Sequence, residues 1–166
     1  MMEIRAMITQ RNDATILVIE DDPGHARLIE KNLRRSGVRD EIRSVKDGQE
    51  AMDVIFGDCM PEIWDRPLLI LLDLNLPSYN GMQILERIKS TPGFSQVPVV
   101  VLTTTDDPRE IEKCYELGCN VYITKPVDYE RFSDAIRKLG AFLRVIRIPV
   151  GKHENQEYDS SFIHGR

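Results

Sequence analysis

A chain of 166 residues is long enough for one domain with a substantial core. Its 42% hydrophobic and 30% charged residues are those of an ordinary globular protein, with no apolar run of bilayer-spanning length. A net charge of -5 argues against a general nucleic-acid binder. The three cysteines (Cys59, Cys114 and Cys119) are odd in number and lack CxxC spacing, so they read as free thiols of a reducing compartment. The opening MMEIRAMITQRND has no signal-peptide core, which sets the expected location as the cytoplasm, without membrane or nucleic-acid partners.

From residue 15 onward, short apolar runs alternate with amphipathic segments. TILVIE (15–20) reads as a buried strand, and GHARLIEKNLRRSG (24–37) as a helix with Leu28, Ile29 and Leu33 on one face and Gly37 as its stop. EIRSV (41–45) is a more polar strand. DGQEAMDVIFG (47–57) is a helix that Asp47 can cap, with Ala51, Met52, Ile55 and Phe56 at helical spacing. A two-proline loop (58–67) carries Trp64, which is expected to anchor packing. LLILL (68–72) is apolar on both faces and runs straight into Asp73. MQILERIK (82–89) makes a third helix. VPVVVLT (97–103) makes a fourth strand, with Pro98 at a strand start where proline is tolerated. DPREIEKCYELG (107–118) opens on an Asp-Pro helix start and closes on glycine, NVYIT (120–124) is a fifth strand, and a long helix spans 128–146.

Five strand–helix pairs in strict alternation imply an α/β fold: a doubly wound parallel sheet, helices on both faces, with strand order 2-1-3-4-5. The polar second strand then lies at an edge. Residues 1–13 and 150–166 carry no such pattern and are expected to be a flexible lead-in and a mobile tail around a domain at 14–149.

Ligands in such sheets bind beyond the carboxyl ends of the strands, where strand order reverses. Strand one ends in Glu20-Asp21-Asp22, strand three in Asp73, strand four in Thr103, and strand five is followed by Lys125-Pro126. A single Asp at a strand end usually caps it, an acidic run can serve a helix N-terminus, and a lone Lys is usually a solvated charge. All of them at one crest point instead to chemistry. Clustered carboxylates need a cation, and hard oxygen ligands beside a phosphate suit Mg2+. Asp73 is then a candidate metal ligand and carboxylate nucleophile, with a lysine and a metal to stabilise a transferring phosphoryl group.

These residues, in this order over roughly 14–146, resemble the receiver domain of two-component response regulators, a flavodoxin-like fold. The resemblance implies phosphorylation of Asp73 by a sensor histidine kinase and Mg2+ held by Glu20, Asp21, Asp73 and the main-chain carbonyl of Asn75. It also implies a switch through Thr103 and Tyr122, Lys125 paired with the phosphate, and a cis Lys125–Pro126 peptide. DDPGHARLIEKNL, LLDLNLPSYNGMQILERIK, VVVLTTTDDPREIEKCYELG, NVYITKP and FLRVIRIP further resemble the single-domain regulators of phytochrome-type kinases, which commonly dimerise through their fourth helix, fifth strand and fifth helix. One departure is Thr104, where many receivers carry alanine or glycine. A receiver without an effector domain would signal to a downstream protein, through dimerisation, or by passing phosphate to a phosphotransfer protein.

Along the last helix Phe132, Ile136, Leu139, Leu143 and Ile146 form the inward stripe. Phe142, Val145 and Ile148 fall off it and are the candidate homodimer contact. His25 reads as a surface residue. Two other functions compete: a metal-dependent phosphatase of the haloacid dehalogenase type, for which Asn75 stands where a second acid is needed, and an interaction module that kept the fold without the chemistry.

Overall fold

The computed structural model describes residues 14–57 and 66–148. Both expected terminal segments, Cys59 and Trp64 lie outside them. Strands β1 (Thr15–Ile19), β2 (Glu41–Val45), β3 (Leu68–Leu72), β4 (Val99–Thr103) and β5 (Val121–Thr124) alternate with helices α1 (Pro23–Arg35), α2 (Gly48–Phe56), α3 (Gly81–Ser90), α4 (Pro108–Glu116) and α5 (Tyr129–Leu143). All strand pairs are parallel, in the order β2-β1-β3-β4-β5, as the alternation predicts. Every residue of β1, β3 and β4 is buried, whereas β2 and β5 are mostly half-exposed edges.

The two-residue period of the strands splits the core into two layers. Leu17, Ile19, Leu68, Ile70, Leu72, Val99 and Val101 face α2, α3 and α4. Ile16, Val18, Leu69, Leu71, Val100 and Leu102 face α1 and α5, where Leu28, Ile29, Leu33, Phe132, Ile136, Leu139 and Leu143 meet them. The strands therefore read as continuous apolar runs because both faces are covered. Each helix begins on an Asp or Asn whose side chain takes its first free amides: Asp22, Asp47, Asn80, Asp107 and Asp128. Gly37 and Gly118, at φ 91 and 102, end α1 and α4 in the left-handed region.

Two expected boundaries shift. Strand β4 starts at Val99, because the Val97 amide is spent on a turn bond to Phe94 O and Pro98 has no N–H to give. Helix α5 ends at Leu143, where the chain tightens into a turn and the Arg144 guanidinium donates to Ser36 O, tying the helix end to the end of α1. No helix among the described residues is long and apolar enough to cross a membrane.

Helices α1 and α5 touch closely at Gly140. A β-carbon there would lie 1.9 Å from Ser36 Oγ and 2.9 Å from Ser36 Cβ. Gly140→Ala should therefore destabilise by about 1–3 kcal/mol despite alanine's higher helix propensity. The check is a lower urea midpoint at unchanged slope.

Candidate functional site at the carboxyl edge of the sheet

Register creates the site. Ile19 pairs with Leu72, and the Asp73 amide donates to Ile19 O, so the residues after β1 and β3 emerge side by side. Val101 pairs with Tyr122 and Thr103 with Thr124, bringing the ends of β4 and β5 into the same row. Glu20, Asp73, Thr103 and Lys125 are all buried at this edge, while Asp21 is exposed.

The Lys125 ammonium is the centre of the cluster. It donates to Glu20 Oε2 and, at 3.1 Å, to Asp73 Oδ2. The other Asp73 oxygen takes the Asn75 amide at 3.0 Å. Thus the carboxylate is fixed at both oxygens, one by the main chain and one by a cation. The Lys125–Pro126 peptide is trans, correcting the expected cis bond. The trans preference before proline is small, about 0.5–1 kcal/mol, so either isomer is accessible to the chain. With the trans bond Lys125 already reaches both acids.

Carboxylate oxygens of Glu20, Asp21 and Asp73 lie within 4.8 Å of one another, a spacing that one cation can span. Burial pushes the Glu20 carboxyl up to about 7, against the opposing pull of its bond to Lys125 and with Asp73 raising it further. One ammonium does not fully neutralise this cluster, which is the condition under which a hard divalent ion fits. Asp22 stands apart. Its carboxylate accepts from the Gly24 and His25 amides and caps α1, so the acidic run divides between the cluster and the helix cap.

Thr103 ends β4 fully buried. The Asn75 side-chain amide donates to Thr103 Oγ1 at 3.3 Å and to the exposed Thr104 Oγ1 at 3.4 Å. Tyr122 packs against the α2–α3–α4 layer, and its hydroxyl donates to Thr105 O at 2.7 Å. Burial holds that hydroxyl well above its ordinary pKa, which keeps it a donor. The Tyr122 amide donates in turn to the Tyr115 hydroxyl of α4 at 3.1 Å. A polar path therefore runs from Asn75 to Thr103, and the loop after β4 is pinned by Tyr122.

Three contributors escape the sequence reading. The Asn75 amide is one, since only its main-chain carbonyl is expected to act. Gly81 is another: a β-carbon there would lie 2.5 Å from Asp73 O and from Leu74 Cα, so the start of α3 can sit against the Asp73 segment only without a side chain. A glycine opening a helix, where glycine usually follows its end, was the available signal. The third is His25, which is not simply a surface residue. It is half-buried, edge-on to Phe132, with Nδ1 3.3 Å from Lys125 Nζ.

Of the candidate dimer residues, Phe142 and Val145 are 52% and 70% exposed. Ile148 is half-buried, in contact with the α1–α5 layer of its own chain. Cys114 and Cys119 are buried free thiols, and burial pushes Cys114 up to about 11.

A doubly wound sheet of this order, with acids, a hydroxyl and a lysine at its carboxyl edge, has the layout of a receiver domain. The chain belongs to the response regulator receiver family, whose receiver-domain profile matches residues 16–137. It is similar to a receiver domain from Rhodospirillum rubrum at 53% identity and TM-score 0.78, covering 83% of this chain and 99% of that one. It is 35% identical over 135 residues to the response regulator Rcp1 of Synechocystis, covering 81% of this chain and 92% of Rcp1. The Mn2+-bound structure of Rcp1 superposes with TM-score 0.76 at 34% identity over 81% of this chain and 98% of that one. The phosphorylated cyanobacterial phytochrome response regulator RcpA matches at 36% identity and TM-score 0.75, covering 82% and 99%. The phosphatase and silent-module alternatives are not favoured by these likenesses, and the Asn75 amide engages Thr103 where a phosphatase would carry an acid.

Two measurements check the site. A carboxyl whose folded-state pKa lies above its unfolded value opposes folding once it ionises. For Glu20 that window runs from about 4.5 to about 7. In chelator-treated protein this group adds about 1–3 kcal/mol of stability as pH falls from 7 towards 5, and Glu20→Gln flattens the slope in urea titrations. Gly81→Ala should cost about 1–3 kcal/mol and shift the Asp73 amide resonance, since the new methyl group must push the Asp73–Leu74 backbone away.

Proposed function

We propose that the chain is a two-component receiver in which Asp73 accepts a phosphoryl group from a phosphohistidine of a sensor kinase. The observation that carries this reading is the buried Lys125 ammonium shared by Glu20 and Asp73. It sets a fixed positive charge beside one oxygen of the Asp73 carboxylate. Attack by an Asp73 oxygen forms the P–O bond of an acyl phosphate, and the P–N bond to histidine breaks with its electron pair returning to the imidazole. Lys125 stabilises charge on the phosphoryl oxygens, and Thr103 can turn its hydroxyl to one of them.

Glu20, Asp21, Asp73 and the Asn75 carbonyl would hold Mg2+, and their clustering and the raised Glu20 carboxyl support this. The ion supplies positive charge against the transferring phosphoryl oxygens. The Mn2+-bound form of Rcp1, a protein that resembles this one, supports a divalent ion here. The likeness to RcpA, a phytochrome response regulator, supports a phytochrome-type kinase as the donor.

The signal would leave through α4, β5 and α5. Movement of Thr103 towards phosphate would break its bond from Asn75 and alter the loop that Tyr122 pins at Thr105 O, so α4 would feel the change through Tyr115. The exposed Phe142 and Val145 are suited to self-association or to a downstream protein.

Incubation with phosphoramidate and Mg2+ should give a phosphate-sized mass gain in the wild type and none in Asp73→Asn; equal gain in both would sink the assignment. Asp21→Asn should weaken the Mg2+ dependence by about tenfold or more. Thr103→Ala should still take phosphate yet leave the Tyr122 ring resonances unchanged by it. Phe142→Glu should shift any dimer to monomer in size-exclusion runs without changing phosphate uptake.

A further inference from the structure

Lysine carries three protons and no lone pair, so a buried ammonium calls for three acceptors. Lys125 Nζ has two in the carboxylates of Glu20 and Asp73. The third polar atom beside it is His25 Nδ1, at 3.3 Å. As a hydrogen bond this contact requires Nδ1 to accept, since lysine can only donate, and it places the imidazole proton on Nε2. That edge of the ring faces the Asp22 carboxylate, with Nε2 4.0 Å from Oδ2.

The ring is held from several sides. The His25 amide is bonded to Asp22 Oδ1 at 3.1 Å, fixing the first turn of α1. The ring stands edge-on to Phe132, with centroids 5.4 Å apart and planes at 87°, and Phe132 is itself buried in the α1–α5 layer. Nδ1 is also 3.7 Å from Glu20 Oε1, too far for a bond, so its short partner is Lys125. The side chain remains 38% exposed at the rim of the crest.

We infer that His25 is a positioning residue for Lys125: as an Nε2–H imidazole it takes the third ammonium proton and holds the cation against Asp73. The role rests on the phosphoacceptor reading of Asp73 and deepens it. The two carboxylates, both at strand ends, take two of the three N–H directions and leave the third without an acceptor. His25, on α1, supplies that acceptor from outside the sheet. It matters most when phosphate arrives, because an ammonium already oriented beside the acceptor oxygen needs no rearrangement to meet the new charge.

Two substitutions separate acceptor from bulk. His25→Phe keeps a ring against Phe132 and removes the acceptor. His25→Asn gives up the ring but can place its carbonyl oxygen near the position of Nδ1. With both variants folded by circular dichroism, phosphorylation by phosphoramidate and Mg2+ should be about three- to tenfold slower in His25→Phe, the scale of one partly exposed bond to a charged group. His25→Asn should recover most of that loss, and Mg2+ affinity should stay within about twofold in both, since no ligand is removed. A wild-type rate in His25→Phe, or an equal loss in both variants, overturns the inference.

Nitrogen-15 imidazole shifts, compared between the wild type and Lys125→Met, test the contact independently of phosphorylation: the Nδ1 shift should move when the ammonium is removed. The Nε2–H tautomer is expected for His25, and an Nδ1–H tautomer overturns the role. Should the wild type take no phosphate at all, the reading of Asp73 fails, and the shift comparison still tells whether Lys125 is held by His25.

Discussion

The ammonium of Lys125, shared between two buried carboxylates at the edge of the sheet, is the interaction around which the molecule is organised. Burying two acids without a cation would cost several kcal/mol, and removing one member of such a group typically costs about 3–5 kcal/mol. The lysine reaches them because β5 pairs with β4 in a register that ends beside Thr103, and its own amide donates to Thr103 O. The acids meet because β1 and β3 are neighbours although far apart in the chain. Tertiary pairing and local charge thus depend on one another: the sheet brings the charges together, and the ion bonds close the edge that the sheet leaves open.

This arrangement leaves the site incompletely neutralised. Two acids face one ammonium, a third acid stands exposed beside them, and burial drives Glu20 towards its protonated form. A fold optimised only for stability would fill such an edge with apolar side chains. Here the edge keeps three carboxylates within the reach of one cation instead. Asn75 joins the site to Thr103 on β4, and Tyr122 on β5 ties the loop after β4 to Tyr115 on α4. The opposite layer, where α1 and α5 pack on Ser36 and Gly140, holds Phe132 and, through it, His25.

Much of this is legible in the chain. Apolar runs such as LLILL and VVVLT could only be strands covered on both faces, and the Asp and Asn before each helix mark where it begins. The acids, the threonine and the lysine each end or follow a strand, so a single topological rule gathers them. The trans Lys125–Pro126 bond, the contact of Ile148 with its own chain and the place of His25 were less readable. The first is a choice between isomers of nearly equal energy. The second depends on a turn after α5 that periodicity does not encode. The third arises because α1 and the loop after β5 approach only once the sheet is assembled.

The sequence by itself determined the element order, the doubly wound sheet, its edge strands and the set of residues at its carboxyl edge, because period, capping and parallel connectivity are local or rule-bound. Only the tertiary structure decided which acid binds and which caps: Glu20 and Asp73 turn to Lys125, while Asp22 spends its carboxylate on the amides of α1. It alone decided that Gly81 must lack a side chain, that the Asn75 amide spans to Thr103, and that His25 meets Lys125. The last two are contacts between elements remote in sequence, and no local pattern carries that distance.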